Sequence, residues 1–454
     1  MSLDEDLRAF LRPDQVTVNE TERAHHARDE SYHPPVLPDV VVFAESSEDV
    51  VAIMRYAHDR RVPVTPFAVG SSLEGHTIPV KAGISLDLMR MNRILEIRPD
   101  DFLVRVQPGV TKDQLNEALG RHGLFFSVDP GANASMGGMA ATNASGTTTV
   151  RYGVMRDQVR ALAVVLSDGR LLHTGSLAAK SSSGYHLTGL FVGSEGTLGV
   201  FTELWLRVFG LPEKVVAARA AFVDVAACVR ASTAVMGSGI AVARMELCDP
   251  HILRGVNRFK GTSYPEVPTL FFEFHGSKAG LAQEIEPVRE ICLGEGCTAF
   301  QFVETEEARR RLWDARHVAA TAFTAQYPGK RHLATDVCVP LSKLADAVEN
   351  ARLLIDQSDV PGGIVGHVGD GNFHAVLVVD PDDATEVAAA YRIHEQLVEH
   401  ALAVGGTCTG EHGVGLGKRR FQTIEHSDSI GVMRDIKNLL DPLQILNPGK
   451  LVSD

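Results

Sequence analysis

Short apolar runs alternate with helical spacing in the first part of the chain. Val40 to Phe43 predicts a buried strand, and Ser46 with Asp49 is the start signal of a helix whose apolar positions fall within 50–58. A second helix is predicted to start at Thr111. Further strand-like runs lie at residues 62–65, 84–86 and 103–106. This alternation is typical of an α/β arrangement.

Longer amphipathic segments follow Leu211-Pro212, where we place a domain boundary. Helical spacing recurs in six segments, at residues 218–236, 279–293, 304–323, 344–357, 385–404 and 430–440. A short β run is predicted at Val376 to Val379. At the other end of the chain, the charged residues 1–34 predict an arm that leads into the first compact unit.

The bulk properties disfavour several classes of protein. The 454 residues, 44% of them hydrophobic, are enough for two to three domains with cores of their own. A net charge of -13 disfavours nucleic acid as a partner. The six cysteines lack close CxxC pairing, which argues against a disulfide framework and an iron–sulfur cluster. With no leader or transmembrane segment visible, we expect a cytoplasmic protein.

Three stretches of the first half are rich in glycine and hydroxyl residues: 66–75, 129–146 and 191–200. Such loops present backbone N–H groups to a pyrophosphate. A structural turn would use similar residues in the first of them, but three such loops together favour a cofactor site. The first loop is neither a Walker A loop nor a GxGxxG motif. The small residues of 131–149 argue against a core helix there.

Two motifs near the C-terminus carry histidines: Gly-His-Val-Gly-Asp-Gly-Asn-Phe-His at 366–374 and Gly-Glu-His-Gly at 410–413. The glycines between His367 and His374 predict a turn between two strands. These two imidazoles and the carboxylate of Glu411 fit zinc or manganese. His412 offers a base near physiological pH. The alternative is a glycine-rich turn whose histidines only hydrogen-bond the backbone.

These stretches resemble a known family. The three loops, above all Val-Gly-Ser-Glu-Gly-Thr-Leu-Gly at 192–199, resemble the FAD-binding domain of the vanillyl-alcohol oxidase, or PCMH-type, superfamily. With the histidine motifs, nearly the whole chain resembles the FAD-linked D-2-hydroxyacid dehydrogenases, most of all those that act on D-lactate. Three further segments carry this likeness, at residues 313–316, 335–340 and 447–450.

The resemblance implies an α+β fold. A PCMH-type FAD-binding domain of two subdomains would span residues 35–212, and an α+β cap domain with an antiparallel sheet would bind substrate over 213–410. A helical C-terminal segment, 411–454, would return to the flavin domain. FAD bound non-covalently is the implied cofactor, although His76 stands where relatives with covalent flavin carry their linking histidine.

The resemblance also implies the cofactor-binding residues. Those for the pyrophosphate are Ala68, Val69, Gly70, Ser71 and Ser72, with Gly75 in the same loop. Those for the flavin are Pro130, Gly131, Ser135, Gly137, Gly138, Asn143, Gly146 and Gly153, and Glu195 and Val200 lie on the ribose and adenine side. The first loop departs from the usual Pro-Arg-Gly-x-Gly-Thr form, so its individual contacts are left open.

The implied reaction is oxidation of a small D-2-hydroxyacid to the 2-oxoacid by hydride transfer to flavin N5. His367, His374 and Glu411 would hold a divalent ion, zinc or manganese. Arg316 would clamp the substrate carboxylate and His412 would take the hydroxyl proton. For Arg316 the alternative is a helix-surface ion pair with a neighbour such as Asp314.

Substrate size follows from two further positions. The 2-hydroxyglutarate members of the family carry a lysine and an asparagine where this chain has Ala334 and Val376, so a distal carboxylate would lack partners. Small or apolar-tailed D-2-hydroxyacids such as D-lactate are therefore favoured, and glycolate and D-2-hydroxyglutarate are the alternatives within the family. Outside the family the alternatives are a metal-dependent hydrolase and a flavin module that only relays electrons. The electron acceptor, a homodimer and a peripheral membrane association through the acceptor are left open.

Overall fold

The computed structural model of the protein describes residues 2–303 and 305–452. The chain forms two compact units. The first contains the residues up to Ser145, then 153–211, and those from Glu411 onward. The second contains 146–152 and 212–410. No sequence pattern indicated that the seven residues 146–152 belong with the second unit.

The first 211 residues contain short helices and strands, all in the first unit except α6. The helices are α1 (Leu3–Arg8), α2 (Glu20–His25), α3 (Ser47–Arg60), α4 (Lys112–Gly120), α5 (Met136–Thr142), α6 (Thr149–Tyr152), α7 (Met155–Gln158) and α8 (Leu187–Phe191). The strands are β1 (Val16–Thr17), β2 (Val40–Phe43), β3 (Val64–Phe67), β4 (Ile84–Asp87), β5 (Ile94–Arg98), β6 (Leu103–Val106), β7 (Leu124–Phe125), β8 (Val159–Val165), β9 (Leu171–Gly175), β10 (Val200–Arg207) and β11 (Phe209–Gly210). Two 3-10 turns cover Pro13–Gln15 and Pro99–Asp101.

The first sheet has the order β1-β2-β4-β3 and is built around parallel strands. Helix α3 starts where the sequence predicts, because the Ser46 side chain accepts a hydrogen bond from the Asp49 N–H. Its buried face packs into the core of this sheet. Residues 1–34, predicted as an arm, contribute β1 to the sheet edge, where Val16 pairs with Val42. Short-range pattern alone does not reveal this pairing.

The second sheet is antiparallel, with the order β5-β6-β10-β8-β9, and β7 pairs with β11 beside it. Helix α5 packs on its core. Since we expected no core helix within 131–149, this expectation was wrong. Met136 and Met139 supply the buried surface, and the Ser135 side chain caps the helix by accepting a hydrogen bond from the Gly138 N–H. Small residues elsewhere in α5 permit a close approach, since a Cβ at Gly137 would clash with Pro108.

The second unit, beyond α6, has longer elements. Its helices are α9 (Val225–Gly237), α10 (Pro250–Lys260), α11 (Lys278–Gly294), α12 (Glu306–His317), α13 (Ala319–Thr324), α14 (Leu344–Asp356) and α15 (Ala384–Ala403), with a 3-10 turn at Leu341–Lys343. Its strands are β12 (Lys214–Phe222), β13 (Val242–Cys248), β14 (Thr269–Gly276), β15 (Cys297–Val303), β16 (Arg331–Ala334), β17 (Val337–Cys338), β18 (Gly362–His367) and β19 (Asn372–Val379). The helix predicted over 218–236 was wrong at its start, which lies in β12. Glu304, the first residue of another predicted helix, lies outside the described residues.

These strands form one antiparallel sheet with the order β15-β12-β14-β13-β18-β19-β16, and β17 pairs with β19. Helices α10, α12 and α13 cover one face, where Cys248, Val365 and Val376 join Trp313 and Phe323 in a common core. Since side chains alternate along a strand, Glu246, His367 and His374 also point to this face. The polar cluster of Glu246, His367 and His374 therefore borders the apolar core on the same face of the sheet.

The C-terminal segment completes the first unit with α16 (Arg419–His426) and α17 (Ser429–Leu440). Ile445 and Leu446 are buried in the core of the first sheet. The Lys437 ammonium in α17 donates hydrogen bonds to the carbonyls of Thr197 and Leu446. The mixture of helices and sheets confirms the α+β class. Among the described helices, none combines the length and the apolar character that crossing a membrane requires.

Candidate functional site

A pocket in the first unit is lined by residues of the three glycine-rich loops. The predicted cofactor residues that line it are Ala68, Val69, Gly70, Ser71, Ser72, Pro130, Ser135, Gly137, Gly138, Glu195 and Val200. Five others do not: Gly75, Gly131, Asn143, Gly146 and Gly153. One of these, Asn143, has a structural role. Asn143 ends α5 in a left-handed conformation, with φ 51°, and its side chain accepts a hydrogen bond from the Arg156 N–H.

The predicted base and carboxylate of the Gly-Glu-His-Gly motif, Glu411 and His412, line this same pocket. Ser145, at the end of the second glycine-rich stretch, donates a hydrogen bond of 3.0 Å to Glu411 Oε2. The sequence places these residues 266 positions apart, and nothing in either motif predicted the contact. The first unit thus brings the C-terminal motif and the predicted cofactor loops to one pocket.

Glu195 anchors the backbone that follows His412. Its carboxylate accepts hydrogen bonds of 2.7 Å from the Val414 N–H and 2.9 Å from the Gly415 N–H. The side chain amide of Asn447 donates to the carbonyls of Glu195 and His76. From the sequence, Glu195 was assigned to cofactor binding, and its hydrogen bonds to the backbone of Val414 and Gly415 were not predicted. The Asn-Pro-Gly-Lys motif was the only sequence feature that pointed to Asn447.

His76 is buried beside Glu195, with Nε2 3.3 Å from Oε1. Burial alone would lower the pKa of His76, but the Glu195 carboxylate outweighs it and the pKa is raised. For Glu195 the two effects have opposite signs. Burial raises its pKa, but His76 and the N–H groups of Val414 and Gly415 outweigh burial, and the pKa is lowered. A Cβ at Gly413, where φ is +84°, would lie 2.6 Å from His76 Nε2. Position 413 therefore requires glycine.

The second unit brings His367 and His374 together across the predicted turn between β18 and β19. Their ring centroids are 5.5 Å apart with the planes at 82°. The turn requires glycine at position 371, where φ is +81° and a Cβ would clash with the Val339 carbonyl. His374 Nδ1 donates to the Thr335 carbonyl at 2.9 Å. Because a carbonyl only accepts, the Nε2 atom of His374 carries the lone pair.

Glu246 in β13 is fully buried and lies opposite His367 in the strand register. Its Oε1 is 2.7 Å from His367 Nδ1, and its Oε2 accepts from Arg316 Nη2 at 2.6 Å. Arg316, the predicted clamp, is thus paired with Glu246. No local motif marks Glu246, because strand pairing across 121 residues creates the contact.

A second glutamate on the same sheet face has similar partners. Glu273 in β14 lies 2.8 Å from His275 Nε2 and 3.4 Å from Arg244 Nε. His275 Nδ1 is 2.7 Å from the Tyr152 hydroxyl of α6. Burial raises the pKa of Glu273, but its histidine and arginine neighbours lower it below the ordinary value. Both ring nitrogens of His275 are therefore occupied by protein groups.

Comparison with known families gives matches along most of the chain. A family described as "FAD linked oxidases, C-terminal domain" matches residues 211–451, which is more than half of the chain. A second, described as "FAD binding domain", matches residues 38–175. The chain belongs to the FAD-linked oxidase family. The resemblance stated from the glycine-rich loops is confirmed, and this family member is an FAD-dependent oxidoreductase.

Similar proteins span nearly the whole length of this family member. A "Probable D-lactate dehydrogenase, mitochondrial" of Danio rerio is 44% identical and covers 98% of the chain and 90% of the relative. A "D-lactate dehydrogenase [cytochrome], mitochondrial" of Arabidopsis thaliana is 42% identical, covering 97% and 78%. A glycolate oxidase subunit of Bacillus subtilis (strain 168) is 32% identical, covering 91% and 89%. The first two names specify mitochondria, so the cytoplasmic location stays a prediction.

Solved structures share the fold at lower identity. Substrate-bound p-cresol methylhydroxylase matches with a TM-score of 0.80 at 18% identity, covering 98% of this chain and 95% of that one. An alkyldihydroxyacetonephosphate synthase matches with a TM-score of 0.78 at 19% identity, covering 98% and 84%. At these identities the likeness shows the fold alone. The predicted PCMH-type fold is confirmed.

Proposed function

We propose that this oxidoreductase converts a small D-2-hydroxyacid, with D-lactate as the preferred substrate, into the 2-oxoacid. The observation that carries the proposal is the shared pocket of the first unit, where the glycine-rich loops meet Glu411 and His412. Relatives named D-lactate dehydrogenases at 44% and 42% identity support the substrate class. A base beside a redox cofactor is what oxidation of a hydroxyl group requires.

The pocket fits a flavin dinucleotide. Small side chains along three loops let the backbone approach the cofactor closely, and Ser71, Ser72 and Ser135 add hydroxyls. When bound without a covalent link, FAD would supply a two-electron acceptor for the substrate hydride. The proposed contacts are those of the pocket-lining residues, whereas Gly75, Gly131, Asn143, Gly146 and Gly153 would shape the loops. Glu195 would act by holding the segment that follows His412.

We further propose that His367, His374 and Glu411 hold a zinc or manganese ion. The two histidines fit such an ion, because each donates Nδ1–H to a fixed acceptor and directs the lone pair to Nε2. Chain connectivity supports Glu411 as the third ligand. Gly410, which precedes it, packs against Asn372 two positions before His374. A bound divalent ion would supply a Lewis acid that lowers the pKa of the substrate hydroxyl.

The remaining steps fall to Arg316 and His412. The guanidinium of Arg316, held by Glu246, would orient the substrate carboxylate through charge-assisted hydrogen bonds. The imidazole of His412 would accept the hydroxyl proton as hydride leaves the substrate carbon. The pocket position of His412 beside Glu411 supports this role, since the proton must be taken next to the cofactor.

Ala334 and Val376 bear on the size of the substrate. These residues are direct neighbours across β16 and β19, and Val376 is buried in the core formed with α12 and α13. Neither side chain can pair with a distal carboxylate, whose burial without a partner is costly. A small apolar tail such as the methyl group of lactate is therefore favoured. Glycolate is the second candidate because a relative at 32% identity is a glycolate oxidase subunit.

Anaerobic reduction of the purified flavoprotein tests the proposal. We expect D-lactate to bleach the visible flavin absorbance faster than glycolate or D-2-hydroxyglutarate, and L-lactate to leave it unchanged. Chelator treatment should stop the bleaching, and added zinc or manganese should restore it. Bleaching by L-lactate alone, or equal rates before and after chelation, would contradict the stereochemical and metal assignments respectively. The electron acceptor can be screened with the same reduced protein, starting with a cytochrome, which the Arabidopsis relative's name includes.

A further inference from the structure

We propose that Glu246 is a positioning residue that keeps His367 in the tautomer able to bind a metal ion and aims Arg316 at the substrate. The inference rests on the proposed function, because it assumes the divalent ion at His367. Glu246 was not among the residues that the sequence indicated. It would act only through its two neighbours and would touch neither substrate nor cofactor.

The geometry leaves the carboxylate little freedom. Glu246 is fully buried in β13, and its two oxygens have separate partners at 2.7 Å and 2.6 Å, one imidazole and one guanidinium. A buried carboxylate is costly unless both oxygens are paired. The antiparallel register that sets Glu246 opposite His367 fixes the distance between the two side chains from the backbone.

The charge of Glu246 decides which nitrogen of His367 carries the proton. A carboxylate that is paired with Arg316 accepts hydrogen bonds, so His367 must present Nδ1–H to it and leave the lone pair on Nε2. A metal ion needs that lone pair. Carboxylates that hold a ligating histidine in this way contribute about 10-fold to 100-fold in metal affinity or activity.

Replacement of Glu246 by glutamine should reverse this preference. The amide oxygen of Gln would face the Arg316 guanidinium, because an amide N–H₂ group cannot accept a hydrogen bond from it. The amide nitrogen would then donate to His367 Nδ1 and move the ring proton to Nε2. Metal binding to that variant would have to displace a proton from the ligand atom.

Glu273 provides a matched control on the neighbouring strand. It is also a buried glutamate with a histidine and an arginine as partners, but its histidine, which contacts Tyr152 through the other nitrogen, is not a proposed metal ligand. Glu273→Gln should therefore disturb a buried polar cluster of similar composition without changing any proposed metal ligand. A merely structural effect of burying an amide would appear in both variants.

The experiment measures zinc affinity of the chelator-treated flavoprotein by competition with a chromophoric chelator at fixed pH. We expect Glu246→Gln to weaken zinc binding about 10-fold to 100-fold and Glu273→Gln to leave it unchanged, with flavin content and circular dichroism retained in both. Zinc affinity of Glu246→Gln equal to that of the wild type would overturn the inference. Wild-type protein that does not bind zinc or manganese would instead overturn the proposed metal site.

A measurement on the wild-type protein keeps the inference testable if Glu246→Gln does not fold. Ring-15N-labelled histidine reports the tautomer of each imidazole, and His367→Gln assigns the signal of interest. We expect the Nδ1–H form for His367 in the chelator-treated protein. The Nε2–H form would contradict the role of Glu246, whatever the activity of the enzyme.

Discussion

Glu246 and Glu273 lie on adjacent strands of the second unit, and each contacts one histidine and one arginine. They differ in what surrounds the histidine. His275 uses Nδ1 for the Tyr152 hydroxyl and Nε2 for Glu273, so protein groups occupy the whole ring. His367 meets Glu246 through Nδ1, which leaves the lone pair on Nε2, and its ring centroid lies 5.5 Å from that of His374.

Position along the sheet explains the difference. His367 is the last residue of β18 and stands at the glycine-rich turn, where a second histidine returns on β19. His275 lies within β14 two residues from Glu273, and α6 packs on the neighbouring strand β13. The same three residue types thus serve two purposes. At the turn they organise a proposed ligand, and within the sheet they fix α6 to its unit.

Replacing the two histidines should give the largest contrast between the clusters. His367→Gln should lower kcat/KM for D-lactate by at least about 100-fold, because loss of a ligand exceeds loss of its outer partner. His275→Gln should retain most of the activity and lose stability. Steady-state kinetics and thermal unfolding of both variants check this. Equal losses of activity would place the two clusters in the same role.

Replacing the two arginines should give an intermediate effect. Arg316→Lys removes a planar donor pair facing the proposed substrate carboxylate, and we expect KM to rise about 10-fold to 100-fold. Arg244→Lys should leave KM unchanged, since Arg244 stacks on the Trp313 ring and pairs with Glu273. Substrate titrations of both variants provide the measurement. An unchanged KM for Arg316→Lys would favour a purely structural ion pair with Glu246.

The pH dependence of stability should show the smallest effect. Because the pKa of Glu273 is lowered from its ordinary value of 4.5 in the folded protein, the ionised side chain stabilises the fold at pH values above 4.5. This stabilisation is lost as the pH falls through the lower pKa of the folded state. Glu273→Gln should therefore be less stable than the wild type by about 1–3 kcal/mol at neutral pH. The difference in unfolding free energy between the variant and the wild type should narrow below pH 4.5. Denaturant unfolding over a pH series tests this, and a constant gap would contradict the pKa direction.

Local signals predicted part of the fold. Helix α3 and the β18–β19 turn were predicted because a capping residue or glycines between histidines act over a few positions. β12 was predicted as helix at residues 218–222. Its run of alanines has high helix propensity, and only pairing with β14 and β15 on both sides makes it a strand.

In the candidate site, too, contacts within short motifs could be predicted from the sequence and contacts between distant segments could not. The pocket in the first unit and the approach of His367 to His374 were predictable, since motifs with short spacing carry these residues. Glu246, and the anchoring of Val414 by Glu195, were not predictable. Both depend on contacts across more than a hundred residues, which a single sequence does not reveal.

The order in which the chain is made has a consequence for how the two units fold. Ile445 and Leu446 are buried in the core of the first unit, so that unit stays incomplete until these residues have left the ribosome. The second unit has all of its residues once Gly410 has left the ribosome. Although proteins usually fold from the N-terminal domain onward, here the unit that starts later in the chain is the first to be complete.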